Sequence, residues 1–370
     1  MIRAPQGYWA FVPAPLPPRL EYDADLVRQL SRADAALSEL SGLGRQLPNP
    51  HLLIAPWVRR EAVLSSRIEG TRASLSDLLK DELGGPRRSA GAEADVREVR
   101  NYVDALEYGI ERLDKLPLSL RFVRELHERL MRGVRGGKAT PGEFRHSQNW
   151  IGESGSTPST AAYVPPPVGE LDACLDAWEK FLHQRDAMPD LVQCALMHEQ
   201  FEAIHPFLDG NGRVGRLLIT LFLIERGRLS QPLLYLSAYI EEHRQDYYAL
   251  LQRVRTHGDW ISWLRYFVRG VEVTAADAAR RTTRLLDLRN RYHERLKKRE
   301  LAGTLPLVDE LFVNPYVTVA RAEKVMRVSN PTARAAVNNL QGMKILKEIT
   351  GRGWGRIYVA NAIRKVIEEK

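Results

Sequence analysis

Twelve consecutive residues concentrate the chemistry of this 370-residue chain: His205-Pro206-Phe207-Leu208-Asp209-Gly210-Asn211-Gly212-Arg213-Val214-Gly215-Arg216. A histidine can act as general base because its ordinary pKa lies near neutrality. Asp209 offers hard oxygen ligands of the kind Mg²⁺ takes alongside phosphates. Gly210, Asn211 and Gly212 tolerate positive φ and let backbone N–H groups converge on an anion. Arg213 and Arg216, three apart, share a helix face. Two cations at the positive end of a helix dipole call for an anion there. These parts suit a metal-bound polyphosphate held beside a hydroxyl nucleophile. The segment is not a Walker A loop, since no G-x-x-x-x-G-K-[ST] occurs.

The flanks must deliver those groups. Asp190 to Ile204 carries apolar residues at helical spacing, and Pro206 disfavours helix at the residue before it. One helix is therefore expected to end near His205. A second is expected from about Arg213, through Leu217, Leu218, Leu221, Phe222 and Ile224.

With these residues in view, the segment resembles the H-x-F-x-[DE]-G-N-G-R-x-x-R signature of Fic-domain proteins, with every specified position filled. The resemblance implies a mainly α fold: a Fic helical core, a short β-hairpin flap and a C-terminal winged helix-turn-helix unit. It implies transfer of AMP from ATP to a Ser, Thr or Tyr hydroxyl of target proteins, or of the chain itself, with release of pyrophosphate. ATP as substrate and Mg²⁺ as cofactor follow from it. His205 would be the base and Asp209 the Mg²⁺ ligand. Gly210, Asn211 and Gly212 would cradle phosphates, and Arg213 and Arg216 would hold the β- and γ-phosphates.

Ser65-Ser66-Arg67-Ile68-Glu69-Gly70 resembles the [ST]-x-x-x-E-[GN] inhibitory helix of the same family, with Ser65, Glu69 and Gly70 in the pattern. The helix is expected over about 56–70, with Pro56 in its first turn and Gly70 as its stop. Glu69 would pair with Arg216 as a bidentate carboxylate and take it from the γ-phosphate. The same Glu69 could instead orient a water for removal of AMP, and the sequence leaves the direction open.

Further parts carry weaker signals. Gly142-Glu143-Phe144-Arg145 and Asn149-Trp150-Ile151-Gly152 precede a turn-rich stretch and Tyr163-Val164-Pro165-Pro166-Pro167. They read as a hairpin and resemble the family's flap, which aligns a target peptide by strand addition. Tyr239 and Tyr247 fit either an adenine pocket or core packing. Gln200 is a further candidate for the nucleotide pocket. His198 and Glu199 lack the H-E-x-x-H pattern, which argues against zinc. His127, His146, His183, His243 and His257 read as surface or packing residues.

Charge separates the chain into unlike parts. Residues 281–370 hold 19 Lys/Arg and 9 Asp/Glu, against +8 for the whole, so residues 1–280 sum to −2. A general nucleic-acid binder is therefore excluded for the catalytic part. No apolar run approaches a membrane span, and the first residues lack an apolar leader. Cys174 and Cys194 both lie in predicted buried stripes, as small hydrophobes in a reducing compartment. The chain thus reads as cytoplasmic.

Helices are expected at 23–40, 95–113, 118–131, 170–183, 247–256 and 260–299, the last broken, with Arg280-Arg281 and Lys297-Lys298-Arg299 exposed. Pro48 and Pro50 mark the entry to the inhibitory helix, and 84–91 reads as a loop. The division expected is an N-terminal helical region (1–95), the core (96–275), a linker helix (276–303) and the winged helix (304–370). In the last, Val319 to Met326 and Pro331 to Leu340 form the helix pair, with Asn330 as cap, and a hairpin follows. Thr332, Arg334, Asn338 and Asn339 would face a DNA groove, with Arg352 and Arg356 on phosphates. Protein contacts or homodimerisation are the alternative use of that unit, and a DNA-binding regulator with a nucleotide-sensing core is the alternative function.

Overall fold

The computed structural model describes residues 1–370 except 5, 47–49, 85–88, 135–139, 154, 352 and 370, and except the side chains of 46 and 50–52. Pro48, residues 85–88 of the expected 84–91 loop and Arg352 lie outside the described residues.

Fifteen α-helices are described. The N-terminal ones are α1 (Ala24–Gln46), α2 (Pro50–Ile68), α3 (Leu75–Asp81), α4 (Ala90–Leu113) and α5 (Leu120–Leu130). The middle ones are α6 (Val168–Leu182), α7 (Asp190–Ile204), α8 (Asn211–Glu225), α9 (Ser237–Glu242) and α10 (Arg244–His257). The last are α11 (Trp260–Lys297), α12 (Leu305–Val313), α13 (Val319–Met326), α14 (Asn330–Gly342) and α15 (Asn361–Glu368). Strands are short. β1 (Ile2–Arg3) pairs antiparallel with β2 (Trp9–Ala10). β3 (Tyr316–Val317), β4 (Lys347–Glu348) and β5 (Tyr358–Val359) make an antiparallel sheet in the order β3-β5-β4. Among the described residues, no helix is long and apolar enough to cross a membrane.

Helices α7 and α8 pack on one another at the centre. From Leu191 to Ile204 every residue of α7 is buried, and α8 is buried on nearly every side through Leu223. The periodic stripe read from the sequence understates this: His198, Glu199, Gln200 and Glu202 are inside as well. A helix enclosed all round is the core of its domain. α1 lies along α11, while α2 is flanked by α4, α9 and α12. Gly109 of α4 makes close approach possible, since a Cβ there would lie 2.9 Å from Leu221 Cδ1 of α8 and 3.1 Å from Leu126 of α5.

Several expectations need correction. The inhibitory stretch does not start at Pro56: α2 starts at Pro50, which takes the first position, and Pro56 lies inside it. α11 is not broken, because Asp259 caps it by accepting from Ser262 N–H (3.2 Å) and no proline interrupts it. Arg281 is buried rather than exposed, since it bonds Asp277 (2.6 Å) and the carbonyls of Val366 and Glu369 (both 2.9 Å). The flap is a single antiparallel bridge, Ile151 to Tyr163, and not a ladder. Ser329, not Asn330, precedes α14, and Asn330 donates instead to Glu323 (3.0 Å).

The C-terminal unit is locked to the front of the molecule. Asn314 Nδ2 donates to the Leu79 carbonyl (2.8 Å), and Ser76 Oγ meets Tyr316 Oη and Glu368 (2.7 Å each). Arg60 of α2 donates to the carbonyls of Ile367 and Glu369. The end of α15 therefore rests on the same helix that carries Ser65.

Two predictions follow from the packing. Gly109→Val overpacks the α4–α8–α5 contact and costs about 1–3 kcal/mol, whereas Gly42→Ala, with open space around it on α1, gains about 0.5–1 kcal/mol. Thermal unfolding should therefore move in opposite directions. Burial holds the carboxyls of Glu199 and Glu202 up at about 7, from an ordinary 4.5. The folded state then binds protons that the unfolded chain has released, so this contribution to stability is lost as pH rises from about 4.5 to about 7. Glu202→Gln should shrink that fall in melting temperature, and a double Glu199→Gln/Glu202→Gln variant should abolish this component.

Candidate functional site

The site is assembled from helix ends. α7 stops at Ile204, and His205 caps it with a left-handed backbone (φ 50°). A non-glycine residue held there needs support from its surroundings. The His205 carbonyl accepts from Arg145 Nε (3.0 Å) and Asn149 Nδ2 (3.1 Å). Arg145 is 1 % exposed, and its other donors reach the carbonyls of Ser147 (3.4 Å) and Pro166 (2.5 Å). Burial pulls its pKa down to about 10. Asn149 also donates to the Phe207 carbonyl (2.8 Å). The His205 ring turns Nδ1 towards the Glu202 carbonyl (3.4 Å), which leaves Nε2 free to take a proton. Burial, then the nearby Arg255, lower its pKa to about 4, so the ring is neutral at physiological pH.

Asn211 rivets the turn. Its Oδ1 accepts from Phe207 N–H and its Nδ2 donates to the Phe207 carbonyl, both at 2.8 Å. Gly210 needs φ +78° at the start of α8. His127 stacks on Phe207 (3.7 Å between centroids), accepts from Gly142 N–H (2.9 Å) and meets the Asp209 carbonyl at 3.1 Å. Burial keeps it neutral, with a pKa of about 4. The Asp209 carboxylate is about half exposed and accepts from Gly210 N–H (2.6 Å).

Arg216 is the buried charge of the site. Its Nε donates to Ser65 Oγ (2.8 Å), while Nη2 donates to the Ser65 carbonyl (3.0 Å) and to Glu69 Oε1 (2.6 Å). The expected bidentate grip by Glu69 is thus a single contact, because Ser65 takes Nε and shares Nη2. Burial opposes the Arg216 charge, but Glu69, Tyr247 and Glu202 together outweigh it and raise the pKa. Burial likewise opposes the Glu69 charge, and Arg216 overcomes it to lower that carboxyl. Glu69 is placed by the end of α2. Gly70 N–H donates to the Arg67 carbonyl and Thr71 N–H to the Ser66 carbonyl, with Gly70 at φ +95°, which is a Schellman turn. A Cβ on Gly212 would lie 2.3 Å from Glu69 Oε1, so the carboxylate sits directly on the first turn of α8.

Arg213 points elsewhere. It lies 3.7 Å from both Asp209 and Glu98, with Nη2 3.6 Å from Met131 Sδ. Its Nε and Nη1 are buried and make no hydrogen bond, although Nη1 is the atom that faces Glu98. Buried guanidinium donors without a hydrogen bond at a helix N-terminus suit an anion.

The structure therefore gathers His205, Asp209, Gly210, Asn211, Gly212, Arg213, Arg216, Ser65 and Glu69. Tyr247 is buried at the back of this group, its hydroxyl 2.8 Å from His198 Nε2. Tyr239 lies apart, against His243 (4.4 Å) and Tyr266 (5.2 Å). Gln200 turns away from the loop and donates to the Ala14 carbonyl (2.8 Å). Sequence reasoning did not assign Arg145, Asn149 or His127 to the loop. Arg145 and Asn149 stood in the quoted flap motifs, but nothing local says that they reach back to His205. Among the described residues no group of three or more His, Cys, Asp or Glu could hold a metal alone. Asp209 nevertheless fits Mg²⁺, whose shell is completed by phosphates and water.

Comparison with known proteins agrees with this geometry. Residues 27–111 match the Fic/DOC family N-terminal, and residues 117–223 match the Fic/DOC family. The chain is similar to Protein adenylyltransferase Fic of Aedes aegypti, 33% identical over 171 residues, which is 45% of this chain and 28% of that protein. It is also similar to the Drosophila grimshawi protein of the same name, 30% identical over 167 residues, or 44% and 30%. The matches thus span less than a third of the length of these curated relatives. A crystal structure of a Fic family protein from Desulfovibrio desulfuricans G20 superposes with a TM-score of 0.59 at 18% identity, covering 93% of this chain and 98% of that one. A Fic domain containing signaling protein from Bacteroides thetaiotaomicron gives 0.53 at 18% identity, covering 68% and 95%. The structural likeness shows the fold. With both family segments in succession over more than half its length, and the loop and helix ends arranged as above, the chain belongs to the Fic/DOC family.

Proposed function

We propose that this protein transfers AMP from ATP to a hydroxyl side chain of a protein, and that Glu69 restrains the reaction. The observation that carries this reading is the Arg216 guanidinium of α8, which α2 holds through Ser65 and Glu69 beside the loop that carries the free Nε2 of His205. The similarity to proteins named protein adenylyltransferase Fic supports it.

In this reading His205 Nε2 takes the proton of the target hydroxyl. The hydroxyl oxygen bonds to the α-phosphorus, the bond from that phosphorus to the bridging oxygen breaks, and pyrophosphate leaves with the electron pair. The first amides of α8, the Arg213 donors that make no hydrogen bond and the guanidinium of Arg216 bind the β- and γ-phosphates. Asp209 would hold Mg²⁺, which neutralises charge on the phosphates when bound. Catalysis here is alignment and charge stabilisation more than covalent work. Glu69 occupies Arg216 and the space over Gly212, so the triphosphate cannot settle with its α-phosphorus in line. The target segment would meet the flap where Trp150 and Ile151 are exposed. Modification of the chain itself follows from the same chemistry.

Intact mass after incubation with ATP and Mg²⁺ tests this reading. Glu69→Gly should raise incorporation of AMP about 10- to 100-fold, the worth of one charge-assisted hydrogen bond competing for Arg216. His205→Ala in that background should lower it about 10²- to 10⁴-fold. Equal incorporation in wild type and Glu69→Gly would remove the restraint from the account, and no adduct on any protein would remove the transfer. The pH profile gives a separate check. With the His205 pKa near 4, kcat/KM of Glu69→Gly should show no histidine limb between about pH 5.5 and 8.

A further inference from the structure

We propose that the C-terminal unit binds double-stranded DNA through the exposed face of α14 and the β4–β5 wing. Four observations converge on it, and none depends on the transfer reaction.

The first is geometry. α13 and α14 pack as a helix pair beside the three-stranded sheet. On α14, Ala333, Ala336, Val337 and Leu340 are buried at helical spacing. The opposite face leaves Thr332, Arg334, Ala335, Asn338 and Asn339 exposed. The major groove admits an α-helix, and Arg and Asn side chains suit guanine and adenine edges.

The second is charge. Residues 324–347 contain Lys324, Arg327, Arg334, Lys344 and Lys347 and no Asp or Glu. All five cations are exposed, and among the described residues none has an acidic partner. Such a surface neutralises phosphates. The third is the wing. Trp354 is 88% exposed in the turn between β4 and β5, where its ring is available to a backbone or a base step.

The fourth observation decides between partners. A protein interface centres on large apolar side chains. The solvent face of α14 offers Thr, Ala, Asn and Arg, all small or polar, and the exposed large apolar groups of the proposed surface, Ile349 and Trp354, are confined to the wing. It fits a hydrated, anionic groove better than the core of a protein contact.

Fluorescence anisotropy of the full chain, without ATP, with a labelled duplex of about 20 base pairs tests the proposal. Binding is expected in about 50 mM salt. It should weaken about 100-fold by about 200 mM if four cations sit on phosphates. Arg334→Ala/Asn338→Ala should weaken it about tenfold or more, with unchanged thermal unfolding because both side chains are exposed. Lys344→Ala should weaken all sequences alike and flatten the salt dependence. No binding at low salt overturns the proposal, as does binding that ignores both variants. Self-association that Arg334→Glu dissolves, with no DNA bound, overturns it in favour of a protein contact. Because ATP is absent, these outcomes are independent of whether AMP is transferred.

Discussion

A guanidinium buried in the centre of a helical core governs much of this architecture. Arg216 sits on α8, which the protein encloses on nearly every side, and its side chain is 2% exposed. An unpaired charge there would cost several kcal/mol. The compensation comes from α2, about 150 residues earlier, through Ser65 and Glu69. That requirement fixes where α2 must end and which way its last turn must face. It also reaches α7, where Glu202 interacts with Arg216 while burial raises its carboxyl to about 7. Tyr247 closes the other side and is itself tied to His198. A single cation thus sets the register of α2, α7 and α10 around α8.

The loop beside it depends on a different device. His205 and Gly210 both adopt left-handed backbone, so the segment between them reverses direction within a few residues. Nothing in that segment alone stabilises the reversal. Asn211 ties it to itself, Arg145 and Asn149 hold the His205 carbonyl, and His127 supports Phe207 and the Asp209 carbonyl. The supports from outside come from two other parts of the chain, α5 and the segment around Arg145 and Asn149. Nε2 of His205 is left free because the fixing contacts fall on its backbone and on Nδ1.

The contrast between local and distant partners explains what could be read from sequence. The turn at 205–212 was legible because Pro206, Gly210 and Gly212 restrict or release φ in their own neighbourhood. The stop at Gly70 was legible for a similar reason, through a left-handed glycine, whereas the cap that Thr318 gives the helix at Val319–Met326 emerges only in the structure. The Glu69–Arg216 pairing came only through the resemblance, and its single-contact geometry did not, because Ser65 competes for the same donors. The enclosure of α7 was also hidden. Its polar residues look like a solvent face by periodicity, and only the helices packed around it make them interior. Arg145 gave no local sign of its role, since its partners are carbonyls, which every residue carries.

Glu69 stands one residue beyond the last helical position of α2, inside the Schellman turn, whereas Arg216 stands well within α8. Helix ends open at a small fraction of the free energy needed to open a buried centre. The body of α2 is held by buried Trp57 and by the bonds from Arg60 to the end of α15. Its last turn is no such end, because Ser65, Ser66 and Ile68 are fully buried and Ser65 itself holds Arg216. Only the Glu69 side chain, beyond that turn, is about one-third exposed. The carboxylate can therefore leave the guanidinium by a side-chain rotation, with Ser65 and the helix left in place.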